Sequence, residues 1–259
     1  ECSTAVRTAP DTAAIAFQTW DWHAALVPDA LMWRYENAPG HWVKTFTEPG
    51  MLAKIGINSM GLAVCFNLLR HRGDSTTGGV PVHAIARRVL DEAATVEEAR
   101  QIADSAQASA STVLTVLATG AGTPDAAAIE ISPAGAATVP PGTDGWLTHT
   151  NHFLAPSLRD DGVISDLSTT VSRLQHLESI RSDGRADTAA GPGLAAFARQ
   201  MCGAVGETAP ICVAEDPAMA PVDRWSTMLT VLLDPAGGSI EYWPGTPYQA
   251  AQVDPAPRF

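Results

Sequence analysis

The 259-residue chain carries 16 basic against 28 acidic side chains, a formal charge of −12 at pH 7, and 46% of it is hydrophobic. That apolar content excludes a disordered or fibrous chain and supports a sizeable core in one large domain or two small ones. The acidic balance argues against nucleic acid held through its phosphates, and no stretch approaches the ~18 apolar residues of a membrane span.

Read in chain order, residues 2–8 and 13–19 form two short strands about a turn at Pro10-Asp11. Residues 51–57 and 62–67 form another pair, joined by a tight turn at Asn58-Ser59-Met60-Gly61. A helical block runs from Val82 to about Ala108. Within it Thr95 and Glu98 make a capping box, Ile85, Val89 and Leu90 space one apolar stripe, and Ala99, Ile102 and Ala103 space another. Strands return at 112–118 and 126–131 around Gly120-Ala121-Gly122, and a second helical block covers 164–180 and 193–202. A hairpin at 227–233 and 239–243 comes last. Strands and helices arriving in blocks fit an α+β domain better than a doubly wound one, and no Gly-x-Gly-x-x-Gly or P-loop pattern is present.

Of the four cysteines, Cys65 lies in the apolar run 62–69 and reads as a core residue. Cys202 and Cys212 read as two buried thiols, with a disulfide across a short loop as the alternative. No CxxC spacing supports zinc or thioredoxin-type redox chemistry. His149 and His152 have no third ligand nearby and read as structural, Arg72-Gly73-Asp74 reads as a chance triplet, and no metal is expected.

Cys2 is different in kind. A cysteine with a free α-amine combines a thiol nucleophile with a base of reference pKa about 7.7–8.0. That design requires cleavage just before Cys2, since the amine is otherwise held in a peptide bond. Trp20-Asp21-Trp22 sets a carboxylate between two indoles, where it needs a partner such as the Cys2 amine. Asn151, within His149-Thr150-Asn151-His152-Phe153, has an amide suited to a developing oxyanion, and Arg224 immediately precedes the last hairpin. Of the seven tryptophans, Trp20 and Trp22 are the candidates for an acyl pocket, with Phe153 beside Asn151.

Together Cys2-Ser3-Thr4, Trp20-Asp21-Trp22 and His149-Thr150-Asn151-His152-Phe153 resemble the acyl-coenzyme A:isopenicillin N acyltransferase family of N-terminal nucleophile hydrolases. Gly56–Leu62, Val80-Pro81-Val82-His83 with Arg87, and Trp243-Pro244-Gly245-Thr246-Pro247 extend the likeness over most of the chain. The resemblance implies a four-layer αββα sandwich, two antiparallel sheets between helix layers, spanning 1–259 as one catalytic domain. It implies a proenzyme that cuts itself before Cys2, leaving Cys2–Phe259 as the mature large subunit with the released segment as a small one. Cys2 would be nucleophile, its amine the base, Asp21 the orienting group, Asn151 the oxyanion stabiliser and Arg224 the support of the Asp21–Cys2 cluster. Asn67 matches a polar position used by the related choloylglycine and penicillin V hydrolases.

The expected activity is cleavage or transfer of the acyl group of a small N-acylated amino compound through a cysteine acyl-enzyme, without cofactor, nucleic acid or membrane, in the cytoplasm. Acyl-coenzyme A-dependent N-acyl transfer is the alternative within the enzyme class, with Arg70-His71-Arg72 as the one candidate patch for its phosphates. A noncatalytic binding or assembly protein on the same fold is the alternative outside it. Two positions depart from the family. Glu1 stands where Gly usually precedes the nucleophile, and Gln18 replaces the arginine that bile-salt hydrolases carry three residues before the Asp.

Overall fold

The computed structural model describes residues 1–8, 13–27, 29–76, 78–120, 122–182 and 193–259. The expected turn at Pro10-Asp11, and Ala121 between its glycines, lie outside the described residues. The elements run β1 (Cys2–Arg7), β2 (Ile15–Trp22), β3 (Leu31–Ala38), β4 (His41–Thr47), β5 (Ile55–Asn58) and β6 (Leu62–Leu68). Then come α1 (Val82–Glu92), α2 (Val96–Asp104), β7 (Thr112–Ala118), β8 (Asp125–Ser132), β9 (Gly135–Val139) and β10 (Trp146–His149). The remainder is α3 (Pro156–Arg159), α4 (Thr170–Ser182), α5 (Leu194–Cys202), β11 (Ser226–Asp234), β12 (Ser239–Trp243) and α6 (Pro247–Ala250).

The strands form a five-stranded sheet, β10-β1-β2-β11-β12, and a seven-stranded sheet in simple sequence order from β3 to β9. Every pairing in both is antiparallel. The sheets face each other, with β1 and β2 over β6 and β11 and β12 over β5. α1 and α2 cover the outer face of the larger sheet, and α4, α5 and α6 cover that of the smaller one. The result is the expected αββα sandwich.

Three apolar layers hold it together. Val6, Ala16 and Trp20 from the small sheet share the inter-sheet layer with Ile57, Ala63 and Cys65 from the large one. Val64 and Phe66 face α1, where Phe66 stacks on His83, and Ala5, Ile15 and Phe17 pack outward against Leu177, Phe197 and Met201. Both faces of β1 and β2 are therefore covered, which is why all of Cys2–Arg7 is buried whether apolar or polar. Among the described residues no helix is long and apolar enough to cross a membrane.

Several sequence expectations are corrected. The first helical block is two helices, because the Thr95 hydroxyl caps Glu98 N–H and starts a second one. The second block is helical only from Thr170. Of residues 51–57, only the part from Ile55 is strand. The β3–β4 hairpin goes unrecognised in the sequence because β3 (LMWRYENA) is an edge strand largely exposed on both faces, so its apolar residues show no strict alternation. β2 runs through Trp22, so Trp20-Asp21-Trp22 lies on the strand rather than after it. Cys202 and Cys212 are free thiols, as expected, with sulfurs 3.7 Å apart, although Cys212 is only half-buried.

Candidate active site

The site is built at the N-terminal end of β1, and the β1–β2 ladder fixes it. Cys2 lies opposite Trp20, and one rung further Glu1 and Asp21 exchange both backbone bonds. Glu1 N donates to Asp21 O at 2.7 Å and Asp21 N to Glu1 O at 2.8 Å. Strand alternation then puts Cys2 toward the inter-sheet layer and Asp21 toward the helices.

Three elements converge on the Cys2 backbone. Its N–H donates to Asn151 Oδ1 at 2.8 Å, just past the end of β10. Its carbonyl accepts from Asn67 Nδ2 of β6 at 3.2 Å and from Arg173 of α4 at 2.5 Å. Arg173 also donates to Ser3 Oγ at 2.9 Å and Asn151 Oδ1 at 2.8 Å, and it pairs with the Glu1 carboxylate at 3.0 Å. Burial pushes the Cys2 thiol above its ordinary pKa and Asp21 adds to this, while Arg173 and the Asp21 backbone N–H pull the other way.

Asp21 is fully buried. Its Oδ1 accepts from Thr227 Oγ1 at 2.7 Å, and a break in register between Thr227 and Leu229 marks the bulge that brings this hydroxyl to it. Oδ2 has no hydrogen-bond partner among the described residues. Burial holds the carboxyl above its usual range, partly offset by nearby positive charge and by the Thr227 bond.

A second network fixes the loop that carries Asn151. His149 Nε2 lies 2.7 Å from Glu130 Oε1 of β8, and Glu130 also accepts from the backbone N–H groups of Leu154 and Ala155. Thr150 and Thr170 exchange hydroxyl contact at 2.9 Å, which ties this loop to the start of α4.

An open cleft of about 450 Å³, within the size range of small-molecule sites, borders the cluster. Its wall includes Glu1, Asp21, Trp22, Asn151, Leu167 and Trp225, with Arg70 as its one arginine. Among the described residues no group of three or more His, Cys, Asp or Glu side chains is placed to hold a metal.

The structure thus brings Cys2, Asp21, Asn67 and Asn151 together, and it corrects the rest. Arg224 does not reach the cluster, because its guanidinium donates to the carbonyls of Met219 and Pro217. Arg173 stands there instead. Asn151 Nδ2, expected to point at an oxyanion, donates to Leu68 O at 2.9 Å, since Arg173 and Cys2 N–H both claim the oxygen. Trp20 packs against Phe46 and Phe153 against His71 inside the core, so of the three expected pocket residues Trp22 alone lines the cleft.

Arg173 is the functional candidate that sequence reasoning missed. A lone arginine in a helix reads as a solvated side chain. Counting back from Leu177 and Ile180 in helical steps, however, reaches 173 and 170, which shows an arginine standing on the buried stripe.

Comparison with known proteins bears on this arrangement. A family model described as acyl-coenzyme A:6-aminopenicillanic acid acyl-transferase matches residues 7–247. A curated relative, the 40 kDa form of acyl-coenzyme A:6-aminopenicillanic-acid-acyltransferase of Emericella nidulans, is 28% identical over 181 residues, 69% of this chain. That match covers 49% of the relative, so the chain matches about half of its length. In fold, a mutant conjugated bile acid hydrolase from Clostridium perfringens superposes with a TM-score of 0.66 at 12% identity, covering 94% of this chain and 89% of that one. The Caenorhabditis elegans ortholog of N-acylethanolamine-hydrolyzing acid amidase gives 0.54 at 13%, covering 90% and 93%.

Proposed function

The chain belongs to the acyl-coenzyme A:6-aminopenicillanic acid acyl-transferase family, and from that premise we propose that Cys2 is the nucleophile of a self-processing amidohydrolase or acyltransferase. It acts on a small N-acylated amino compound.

The carrying observation is the buried Asp21 Oδ2, a carboxylate oxygen with no donor. Such an oxygen is costly unless a cation or donor faces it. Breaking the Glu1–Cys2 bond turns the Cys2 amide nitrogen into an amine, which supplies that partner and a base in one group.

The same geometry supports self-cleavage. The Glu1 carbonyl oxygen, where charge develops when the Cys2 sulfur attacks, already accepts the Asp21 N–H at 2.8 Å. In that step a C–S bond forms and the C–N bond breaks. The proton goes to the Cys2 nitrogen, and water then hydrolyses the thioester. In turnover the freed amine takes the thiol proton, the thiolate attacks the amide carbonyl, and the protonated amine returns the proton to the leaving nitrogen. Asn151, Asn67 and Arg173 hold the backbone of Cys2 and so position the nucleophile.

Cys2–Phe259 is then the mature catalytic subunit, with the segment ahead of Cys2 as its smaller companion. Water on the acyl-enzyme gives hydrolysis and an amine gives transfer. One arginine in the cleft wall is slight provision for the phosphates of coenzyme A, which favours an amide as the acyl donor.

Intact-mass spectrometry with a thiol-reactive acyl probe tests the reading. One acyl group should add to the processed chain and none to Cys2→Ala. Equal labelling of both would overturn it.

A further inference from the structure

The Glu1 side chain occupies a built anion seat. Its carboxylate accepts from the Ser168 and Thr169 hydroxyls, the latter at 2.8 Å, and from Thr169 N–H at 3.3 Å. Arg173, with no exposed side-chain surface, pairs with it at 3.0 Å. Burial opposes the charge, yet Arg173 and the two hydroxyls hold the Glu1 carboxyl below its ordinary range. The remaining partners of Arg173 are neutral: Cys2 O, Ser3 Oγ, Asn151 Oδ1 and Thr169 Oγ1. Glu1 is the one acid in contact with it among the described residues.

Resting on the proposed processing, a consequence follows for the mature site. Once the Glu1–Cys2 bond is broken, Glu1 is free to leave the seat, and its departure leaves a buried guanidinium without its ion-pair partner, an arrangement that favours a replacement charge. Self-cleavage and turnover present a scissile carbonyl to the same sulfur, so the Glu1 side chain marks where an acyl group runs from that carbonyl. We propose that Ser168, Thr169 and Arg173 form a carboxylate-binding subsite of the mature enzyme. The acyl group it selects ends in a carboxylate at the reach of a glutamyl or glutaryl arm. Leu68, Val163, Ile164 and Leu167 on the cleft wall leave the other side of the substrate in apolar surroundings.

The test uses the chain beginning at Cys2 and two N-methylamides, of glutaric acid and of pentanoic acid, which differ only in the terminal carboxylate. Calorimetry should show the glutaric amide binding at least tenfold more tightly, and Thr169→Val, which removes one of the seat's donors and leaves Arg173 in place, should lower that ratio several-fold. Equal binding of the two amides, or a preference that Thr169→Val leaves unchanged, overturns the subsite whether or not either is cleaved. The matching anilides read the chemistry separately. Cleavage without preference for the glutaryl anilide sinks the subsite and leaves the Cys2 reading standing. Charge-selective binding with no cleavage and no acylation of Cys2 sinks the Cys2 reading and leaves the subsite standing.

Discussion

At the residue scale, Asp21 sets function against stability. A buried carboxylate with one unpartnered oxygen costs folding free energy, and its raised pKa expresses that cost. The sign follows from proton linkage. With the folded pKa above the reference 3.8, the folded state binds more protons than the unfolded one between the two values. The stabilisation is full below about 3.8 and is lost as pH rises through the folded value. Among unprocessed chains, in a Cys2→Ala background, Asp21→Asn should therefore be more stable than its Asp21 counterpart at pH 7, by about 1–3 kcal/mol, and the gap should close on acidification. In the chain with Cys2 intact, Asp21→Asn should lower processing and turnover at least ~100-fold, an effect of the size expected for lost acid–base chemistry. Parallel urea melts at two pH values and intact-mass time courses check this, and normal processing would remove Asp21 from its proposed role. Cys2, Asp21 and Asn151 stand out in the sequence because each is a reactive or polar residue within a distinctive motif, and Asn67 is marked only by its place in the family resemblance. Arg173 has no such motif, and only its burial makes it significant.

At the element scale, the loop after β10 owes its position to β8. Glu130 lies under it and gathers His149 with two backbone N–H groups. Removing the acid strands all three buried groups at once. Glu130→Ala should cost about 3–5 kcal/mol in chemical denaturation, as for a broken buried pair. It should also slow acylation of Cys2, because Asn151 hangs from this loop. A variant with unchanged stability would show that the latch carries no load. Sequence pattern finds the β10 loop but not its partner, since Glu130 sits in an otherwise apolar strand, AAAIEIS, where alternation alone does not say which buried group an acid serves. The helices are more legible. The stripes of α1 and α2 bury Ile85, Val89, Leu90, Ala99, Ile102 and Ala103, the positions their spacing marks.

At the scale of the whole molecule, polar clamps join the two sheets beneath the site. Beyond the Gly56–Val64 pair β6 has no β5 partner, and the Gln18 amide takes the place of the missing strand. It donates to Phe66 O at 2.8 Å and to Asn67 Oδ1 at 2.9 Å, and it accepts from Phe66 N–H at 3.1 Å. Gln18→Met keeps the volume and strands these groups, so it should cost at least about 2 kcal/mol by thermal or urea unfolding. A loss below about 0.5 kcal/mol would mean that water replaces the amide. The same residue, met in the sequence only as a departure from the bile-salt hydrolase pattern, is thus an inter-sheet strut in the fold.

The sequence by itself determined the α+β class, the nucleophile candidate and the carboxylate beside it, because periodicity and short motifs are local properties of a chain; the αββα sandwich followed from the family resemblance those motifs carry. The tertiary structure alone decided that Arg173 rather than Arg224 reaches Cys2, that Trp22 rather than Trp20 or Phe153 borders the cleft, and that Glu1 fills an anion seat. Each of those depends on which distant surfaces pack together and on what that packing removes from water.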